Sequence, residues 1–245
     1  MKTLSYLLLC CGMVTSAAGA AMAQFETDTI PTSAGELKIT FIGHGSLIFQ
    51  FNGKTIHIDP FGQLADYSQL PKADLVLITH DHFDHLDPDA LAKIRTDKTA
   101  VVLTEACSKK VSGGIVMKNG DTQTIQGIPI QAVPAYNIVH LRDGKNPFHP
   151  KGVGNGYILT FGEKKIYVAG DTENTPEMKK LTGIDIAFLP MNLPYTMTPE
   201  MVADAARAFK PKILYPYHFS ETDTAQVVRL LKDQPGIEVR IRAMK

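Results

Sequence analysis

The sequence is poor in cysteine and has no excess of charge of either sign. It has three cysteines among 245 residues, and 25 lysines and arginines balance 25 aspartates and glutamates. A nucleic-acid-binding domain usually carries a strongly basic surface, so the balanced charge disfavours a nucleic-acid partner. A disulfide framework is also unexpected, and a chain of this length can bury a hydrophobic core without one.

The sequence also lacks an apolar run near its start that could cross a bilayer. Residues 4–14 are apolar, but this stretch is too short for a membrane span. Lys2 precedes it, and Ala21-Met22-Ala23 after it is typical of a cleavage site for signal peptidase. We therefore predict a signal peptide over residues 1–23, a periplasmic or secreted mature protein and no stable membrane anchor. An uncleaved N-terminal anchor is the alternative.

The remainder of the chain is predicted to form one α/β (α+β) domain over residues 37–245, after a loose leader at residues 24–36. Cys107 is the one cysteine left after cleavage, and we expect it to be a small buried apolar residue. Hydrophobic periodicity and turn residues define the elements. The predicted strands cover residues 37–42, 46–51, 54–58, 75–78, 99–103, 121–125, 128–133, 157–161, 164–169, 184–189, 212–217 and 237–241, and the predicted helices cover 88–94, 176–181, 199–209 and 224–231.

Three of the eight histidines fall within six residues, directly after the predicted strand at residues 75–78. The segment reads Thr-His-Asp-His-Phe-Asp-His and contains His80, His82, Asp84 and His85. A loop at the end of a strand can direct several side chains to one point, which the alternation of a strand prevents. Imidazole and carboxylate groups are preferred ligands of zinc and related ions. A metal site is favoured over a solvated polar loop.

Other polar residues follow predicted strands in the same way. Asp59, Asp171 and His218 each stand at or just beyond the carboxyl end of a strand. Ligands in open α/β layouts lie beyond these ends, so the residues are expected to converge on the histidine cluster. Any one of them taken alone could instead be a turn residue.

These segments resemble the metallo-β-lactamase superfamily. The matching pieces are HIDPF around Asp59, THDHFDH, AGDTE around Asp171 and PYHF around His218, in the order that the superfamily has them. The resemblance covers residues 37–245 and implies an αββα sandwich of two mixed β-sheets flanked by helices. The segments GHGSLIF and TMTPE are similar to a branch that contains lactonase and phospholipase-D-like hydrolases.

The resemblance also implies roles for the individual residues. It implies two zinc ions, with Mn²⁺ or Fe²⁺ as alternatives, and a catalytic Asp84 that also orients the nucleophile. His44, in GHGSLIF, lies near the cleft or has a structural role. By the same resemblance, His80 and His82 bind the first metal, Asp84, His85 and His218 bind the second, Asp171 bridges both, and Asp59 orients a ligand without touching metal.

One position departs from the superfamily pattern. A third histidine for the first metal is expected after the strand that ends near residue 133, and the nearest match there is Asn137, a poor zinc ligand. His149, in the segment PFHPKG, and His140 are both close enough to replace it. We favour His149, and His140 or neither residue are the alternatives.

We therefore expect an exported metal-dependent hydrolase of a small-molecule substrate. A metal-activated hydroxide would attack an ester-type bond in a lactone, phosphodiester or amide. The alternatives are a mononuclear iron dioxygenase and a non-catalytic metal-binding module of the same fold. Di-iron oxygen-reducing relatives are disfavoured, because they carry glutamate where this chain has His82, and β-lactam hydrolysis is a weaker expectation.

Overall fold

A computed structural model describes residue 22 and residues 24–245. The predicted signal peptide lies outside these residues, apart from Met22. Within the described part of the chain, no helix is both long enough and apolar enough to cross a membrane.

Two seven-stranded sheets make up the centre of the fold, and the first contains the N-terminal half of the chain. Its strands follow one another in sequence order. Neighbours are antiparallel from β1 to β4 and parallel from β4 to β7. The strands are β1 (Glu26–Thr32), β2 (Gly35–Gly43), β3 (Ser46–Phe51), β4 (Lys54–Ile58), β5 (Leu75–Leu77), β6 (Ala100–Leu103) and β7 (Ile115–Val116).

The second sheet repeats this plan with the C-terminal half. Its strands are again adjacent in sequence order, antiparallel through the fourth strand and parallel after it. The two halves therefore share one topology, although the sequence shows no obvious repeat. The strands are β8 (Thr122–Ile125), β9 (Ile128–Ala135), β10 (Gly154–Phe161), β11 (Lys164–Val168), β12 (Ile186–Pro190), β13 (Ile213–Tyr217) and β14 (Glu238–Val239).

Local signals set the helix boundaries. Asp87 caps the first helix by accepting hydrogen bonds from the backbone of Asp89 and Ala90, and Thr198 caps the third through the N–H of Met201. Proline follows each cap, where its missing N–H costs nothing. The helices are α1 (Pro88–Ile94), α2 (Glu105–Ser108), α3 (Pro199–Phe209) and α4 (Ala225–Leu230), with a 3₁₀ turn at Met178–Lys180.

Three apolar clusters separate four layers. The largest lies between the sheets and joins Phe41 and Phe49 of the first to Phe161 and Phe188 of the second. A second cluster packs α3 and α4 on the second sheet, and a third packs α1 and α2 on the first. Val76 faces α1 while its neighbours on β5 face the central cluster, so this strand is buried on both faces. The predicted αββα sandwich is confirmed.

The structure corrects several details of the sequence prediction. Residues 24–36 are not a loose leader, because β1 occupies 26–32 and pairs along its whole length with β2. This edge strand buries only Ile30, so it lacks the apolar pattern of a strand. Helix α2 and strand β7 were not predicted, and both are very short. The predicted helix at 176–181 is a single 3₁₀ turn, and the predicted strand at 237–241 pairs only at 238–239.

Candidate metal centre

The loop between β5 and α1 carries the histidine cluster. The backbone N–H groups of His85 and Leu86 donate to the carbonyl of His82, which closes a tight turn. The turn places the rings of His80 and His82 4.6 Å apart, between centroids, and those of His80 and His85 4.1 Å apart. Four residues that are close in sequence therefore present their side chains to one region, as the spacing predicts.

Residues from the second half complete two groups of possible metal ligands. In each group, one potential ligand atom from every residue lies within 4.8 Å of the others. His149 lies in the loop between β9 and β10, and His218 directly follows β13. The first group is His80, His82 and His149, and the second is His44, Asp84, His85 and His218.

Asp171 lies between these two groups. Its Oδ2 is 3.3 Å from Nε2 of His149 and 3.6 Å from Nε2 of His218, and its Oδ1 is 3.4 Å from Nε2 of His85. It also forms a third candidate ligand group with His80 and His85. The left-handed backbone of Gly170, with a φ of 64°, turns the chain into this position. A carboxylate placed between two ligand groups would be available to a cation in either group, as expected for the bridging ligand that the superfamily resemblance implies.

Asp59 orients ligands of the first half from beneath. It is fully buried, and its Oδ2 lies 2.8 Å from Nδ1 of His85. The same oxygen accepts from the hydroxyl of Thr79, which lies 3.0 Å from Nδ1 of His80. The Thr79 hydroxyl has one hydrogen, which goes to Asp59, so it accepts from His80. One carboxylate therefore fixes the orientation of two histidine rings, and Asp59 itself belongs to none of the candidate ligand groups.

Asn137 plays the same part for His149. Its Oδ1 accepts hydrogen bonds from the backbone N–H of His149 and from the ring Nδ1, at 2.8 and 2.7 Å. The other alternative, His140, is held outside the ligand groups by a 2.7 Å contact between its Nδ1 and Glu173. The structure thus brings His149, and not His140, to His80 and His82. Asn137, at the position expected for histidine, orients the ligand candidate instead.

Glu173 and Asn192 are two supports that the sequence reasoning missed. Glu173 is fully buried and accepts from the backbone N–H groups of Ile138, Val139 and His140, so it fixes the loop after β9. The side-chain amide of Asn192 lies 3.2 Å from Nδ1 of His218. Glu173 belongs to the matched segment AGDTE, so its place in that motif could have identified it. Nothing in the sequence distinguishes Asn192.

His44 belongs to the site through Asp84 and His218. Its Nε2 lies 3.0 Å from Oδ2 of Asp84, and its ring centroid is 3.6 Å from that of His218. His44, Asp59 and His218 all adopt left-handed backbone conformations, with φ of 52°, 43° and 47°. Such conformations are costly for residues other than glycine and cluster at functional sites.

The donor atoms of this centre fit a metal cation. His80, His85 and His149 each turn Nδ1 to an oxygen of a protein neighbour, and all three, like His218, leave Nε2 buried. A buried polar atom without a partner is costly, and neutral imidazole binds metals. Burial, reinforced by the neighbouring His85, holds the pKa of His80 well below its ordinary value. The buried atoms that lack a hydrogen-bond partner among the described residues include Nε2 of His80, His85, His149 and His218, and Oδ1 of Asp171.

Negative charge is concentrated at the same point. Burial alone would lower the pKa of His85, but the carboxylates of Asp171 and Asp59 raise it to about 9. Burial would likewise raise the pKa of Asp171, and the histidines around it hold that pKa well below its ordinary value. The electrostatic field that favours a proton on His85 also favours a metal cation.

Comparison with known proteins agrees with this geometry. The profile of the beta-lactamase superfamily domain matches residues 38–218. A UPF0173 metal-dependent hydrolase from Pelotomaculum thermopropionicum is 31% identical over 221 residues, which cover 84% of this chain and 96% of that protein.

Solved structures give the same result. A crystal structure from Parabacteroides distasonis has a TM-score of 0.86 and 50% identity, and the match covers 90% of this chain and all of that one. Igni18, a metallo hydrolase from Ignicoccus hospitalis, has a TM-score of 0.70 and 27% identity over 85% of this chain and 95% of its own. The chain therefore belongs to the metallo-β-lactamase superfamily, among its metal-dependent hydrolases.

Proposed function

We propose that this protein is an exported hydrolase that uses two zinc ions to cleave an ester-type bond in a small molecule. The observation that carries the proposal is the position of Asp171 between two ligand groups. His80, His82 and His149 would hold one ion, and Asp84, His85 and His218 the other, with Asp171 shared. Nitrogen-rich and carboxylate-containing sets of this kind suit zinc, and Mn²⁺ or Fe²⁺ are the alternatives.

Two ions at such a site supply an activated water and polarise the oxygen of the bond to be cleaved. The protein provides the position and the environment for this chemistry. Asp59 and Asn137 keep the rings of His85 and His149 directed inward, so the ligands need no rearrangement when substrate binds. The buried ligands exclude bulk water from beneath the site.

Asp84 is the carboxylate best placed to contact the attacking water. Its side chain is 20% exposed, compared with 5% for Asp171 and 0% for Asp59, and it lines the open cleft. His44 fixes its Oδ2. Asp84 would orient the attacking water by accepting a hydrogen bond from it. Burial would raise the pKa of Asp84, but the neighbouring His218 and His44 hold that pKa well below its ordinary value, so the carboxylate stays charged. Lactones, phosphodiesters and amides all fit this chemistry.

Metal content and hydrolysis, measured together, test the function. The purified mature protein should contain about two zinc equivalents and hydrolyse at least one of three probes, namely bis(p-nitrophenyl) phosphate, an aliphatic lactone or a chromogenic β-lactam. His80→Ala should lose both metal and turnover, whereas His140→Ala should keep both. One iron equivalent with oxygen consumption would instead support a dioxygenase, and bound zinc without turnover of any probe would support a non-catalytic module.

Export is proposed from the N-terminal sequence pattern and needs its own test. The native gene should be expressed and the cells fractionated. We expect the protein outside the cytoplasm with Gln24 as its first residue, read by N-terminal sequencing. A full-length protein in the cytoplasmic fraction, or one retained in the membrane, would contradict the predicted cleavage after Ala23.

A further inference from the structure

The cleft over the metal centre contains groups that the proposed chemistry does not use. It has a volume of about 590 Å³, and beside the ligand candidates it is lined by two cations and three aromatic side chains. This volume is typical of a pocket for a small molecule. Besides Asp81 and Asn192, the additional lining residues are Phe83, Lys110, Arg142, Phe148 and Tyr195.

The two cations differ in what they contact. The ammonium of Lys110 lies 2.9 Å from the carboxylate of Asp81 and donates to the Asp81 carbonyl at 2.6 Å, so its charge is neutralised within the protein. The guanidinium of Arg142 makes neither an ion pair nor a hydrogen bond with the residues that the structure describes. Its guanidinium carbon lies 5.7 Å from the centroid of the Phe148 ring. Arg142 therefore keeps its donors available to a ligand.

The aromatic residues form an apolar wall beside that cation. The Phe148 ring meets Tyr195 edge-on, 5.0 Å between centroids, so Arg142, Phe148 and Tyr195 follow one another in contact. Tyr195 is 45% exposed and Phe83, also on the cleft, is 72% exposed. Large apolar side chains exposed together at a concave site mark a binding surface. Among the described residues, seven of the nine exposed large apolar side chains lie on the loops around this cleft: Phe83, Ile138, Val139, Leu141, Val153, Leu193 and Tyr195.

We propose that the substrate is an anion with an apolar chain or ring, and that Arg142 binds its anionic group. The inference rests on the proposed function for the bond that is cleaved, and it adds the chemical class of the molecule that carries this bond. Arginine presents several donors in a planar fork that matches a phosphate or carboxylate. Phe83 and Tyr195 would contact the apolar part. An uncharged lactone or amide would leave Arg142 without a partner.

Equilibrium binding of phosphonates, which hydrolysis does not consume, tests this assignment. The probes are octylphosphonate, methylphosphonate and uncharged 1-octanol, titrated by calorimetry into the metal-free and the zinc-loaded protein. Arg142→Ala should weaken octylphosphonate about 10-fold or more in both forms, since a charge-assisted hydrogen bond contributes about 1.5–3 kcal/mol. Arg142→Lys should recover part of the loss, and 1-octanol should be insensitive to either change.

Two further variants complete the test. Lys145→Ala removes a cation from the same loop that does not line the cleft, and it should bind octylphosphonate as the wild type does. Tyr195→Ala should weaken octylphosphonate several-fold and leave methylphosphonate unchanged, because only the octyl chain reaches the apolar wall. Equal affinity of Arg142→Ala and Lys145→Ala for octylphosphonate would overturn the assignment.

This outcome is separable from that of the proposed function. Phosphonate binding that depends on Arg142, without turnover of any ester-type probe, would keep the anion site and reject the hydrolase. Conversely, Arg142→Ala could turn over both a phosphodiester and a neutral ester with the same KM as the wild type. That result would keep the hydrolase and reject the anion site.

Discussion

The two halves of the molecule share a strand plan but supply the metal centre in different ways. In the first half, one loop after β5 carries four ligand candidates. In the second half, three separate segments each supply one candidate. His149 precedes β10, Asp171 follows β11 and His218 follows β13. Asp59, after the fourth strand of its sheet, and Asp171, after the fourth strand of the other, occupy corresponding places. The position after the fourth strand thus holds a candidate ligand, Asp171, in the second half. In the first half it holds Asp59, which orients candidate ligands.

The residues that orient the candidate ligands by hydrogen bonds also differ between the two halves. In the first half, Asp59 holds His85 directly and His80 through Thr79, so a single carboxylate serves ligands of both groups. In the second half, Asn137 serves His149 and Asn192 serves His218. We therefore expect a substitution of the support in the first half to weaken binding of both proposed metal ions, and a substitution in the second half to weaken binding of one.

The largest effect is expected for Asp59→Ala. Removal of the carboxylate leaves Nδ1 of His85 and the hydroxyl of Thr79 without their buried partner. The ring of His85, and that of His80, which Thr79 contacts, can then rotate. Supports of this kind contribute about 10- to 100-fold in metal affinity. Affinity for both zinc ions should fall about 100-fold, measured by competition with a chromophoric chelator.

The conservative variant separates orientation from folding. Asp59→Asn keeps an acceptor oxygen and should lose about 10-fold in affinity for both ions. Circular dichroism of the metal-free proteins provides the control for folding. If Asp59→Ala lost only one ion, the difference between the two halves would disappear.

The next effect concerns the third histidine of the first group. His149→Ala should bind about one zinc equivalent where we expect the wild type to bind two, because Nε2 of His149 is directed at His80, His82 and Asp171. His140→Ala is the matched control, since that ring contacts Glu173 and belongs to none of the ligand groups. The measurement is zinc content by atomic emission after dialysis. Loss of an ion in His140→Ala but not in His149→Ala would reverse this assignment.

Sequence alone predicts the first half of the site well, for a physical reason. His80, His82, Asp84 and His85 are local in the chain, so one turn after one apolar strand is enough to bring them together. The helix starts at Pro88 and Pro199 were also predictable, because Asp87 and Thr198 cap them through local hydrogen bonds. Strand β1 was not predictable in this way, since an edge strand buries little and is recognised by its partner rather than by its own pattern.

The second half depends on contacts between distant residues. The choice between His140 and His149 is made by Glu173 and Asn137, which lie 33 and 12 residues away along the chain. Spacing within the sequence carries no information about such a pairing. Asn192 is fixed against His218 only because β12 and β13 are parallel neighbours, so their carboxyl ends meet.

A smaller effect is expected for Asn137→Ala. The substitution removes the acceptor of the His149 ring but leaves the ligand itself, so affinity for one ion should fall about 10-fold and affinity for the other should not change. Asn137→His would test the superfamily pattern, because it places a histidine where a ligand is expected. A loss shared equally by both ions in Asn137→Ala would show that the second half also supports the centre as a unit.

The smallest effect on metal binding is expected where the two halves join, at a residue that belongs to none of the candidate ligand groups. Asp28 on β1 accepts hydrogen bonds from Tyr215 on β13 and from Arg242, with its Oδ1 and Oδ2 2.8 and 2.9 Å from one arginine nitrogen. Burial would raise the pKa of Asp28, but these partners lower it below its ordinary value. The charged form is therefore favoured by folding. The contribution of the Asp28 charge to the free energy of unfolding is fully present above about pH 4. It is lost as the pH falls through the depressed pKa of Asp28 in the folded state.

Asp28→Asn should lower the free energy of unfolding by about 1–2 kcal/mol at pH 7, because hydrogen bonds to a charged, mostly buried group are lost. The difference from the wild type should shrink as the pH falls below 4. Urea unfolding of the metal-free protein measures it, and a double-mutant cycle with Arg242→Met isolates the pair. A difference that stayed constant down to pH 2 would mean that the Asp28 charge does not stabilise the junction, and that the two halves are held together by the apolar cluster between their sheets.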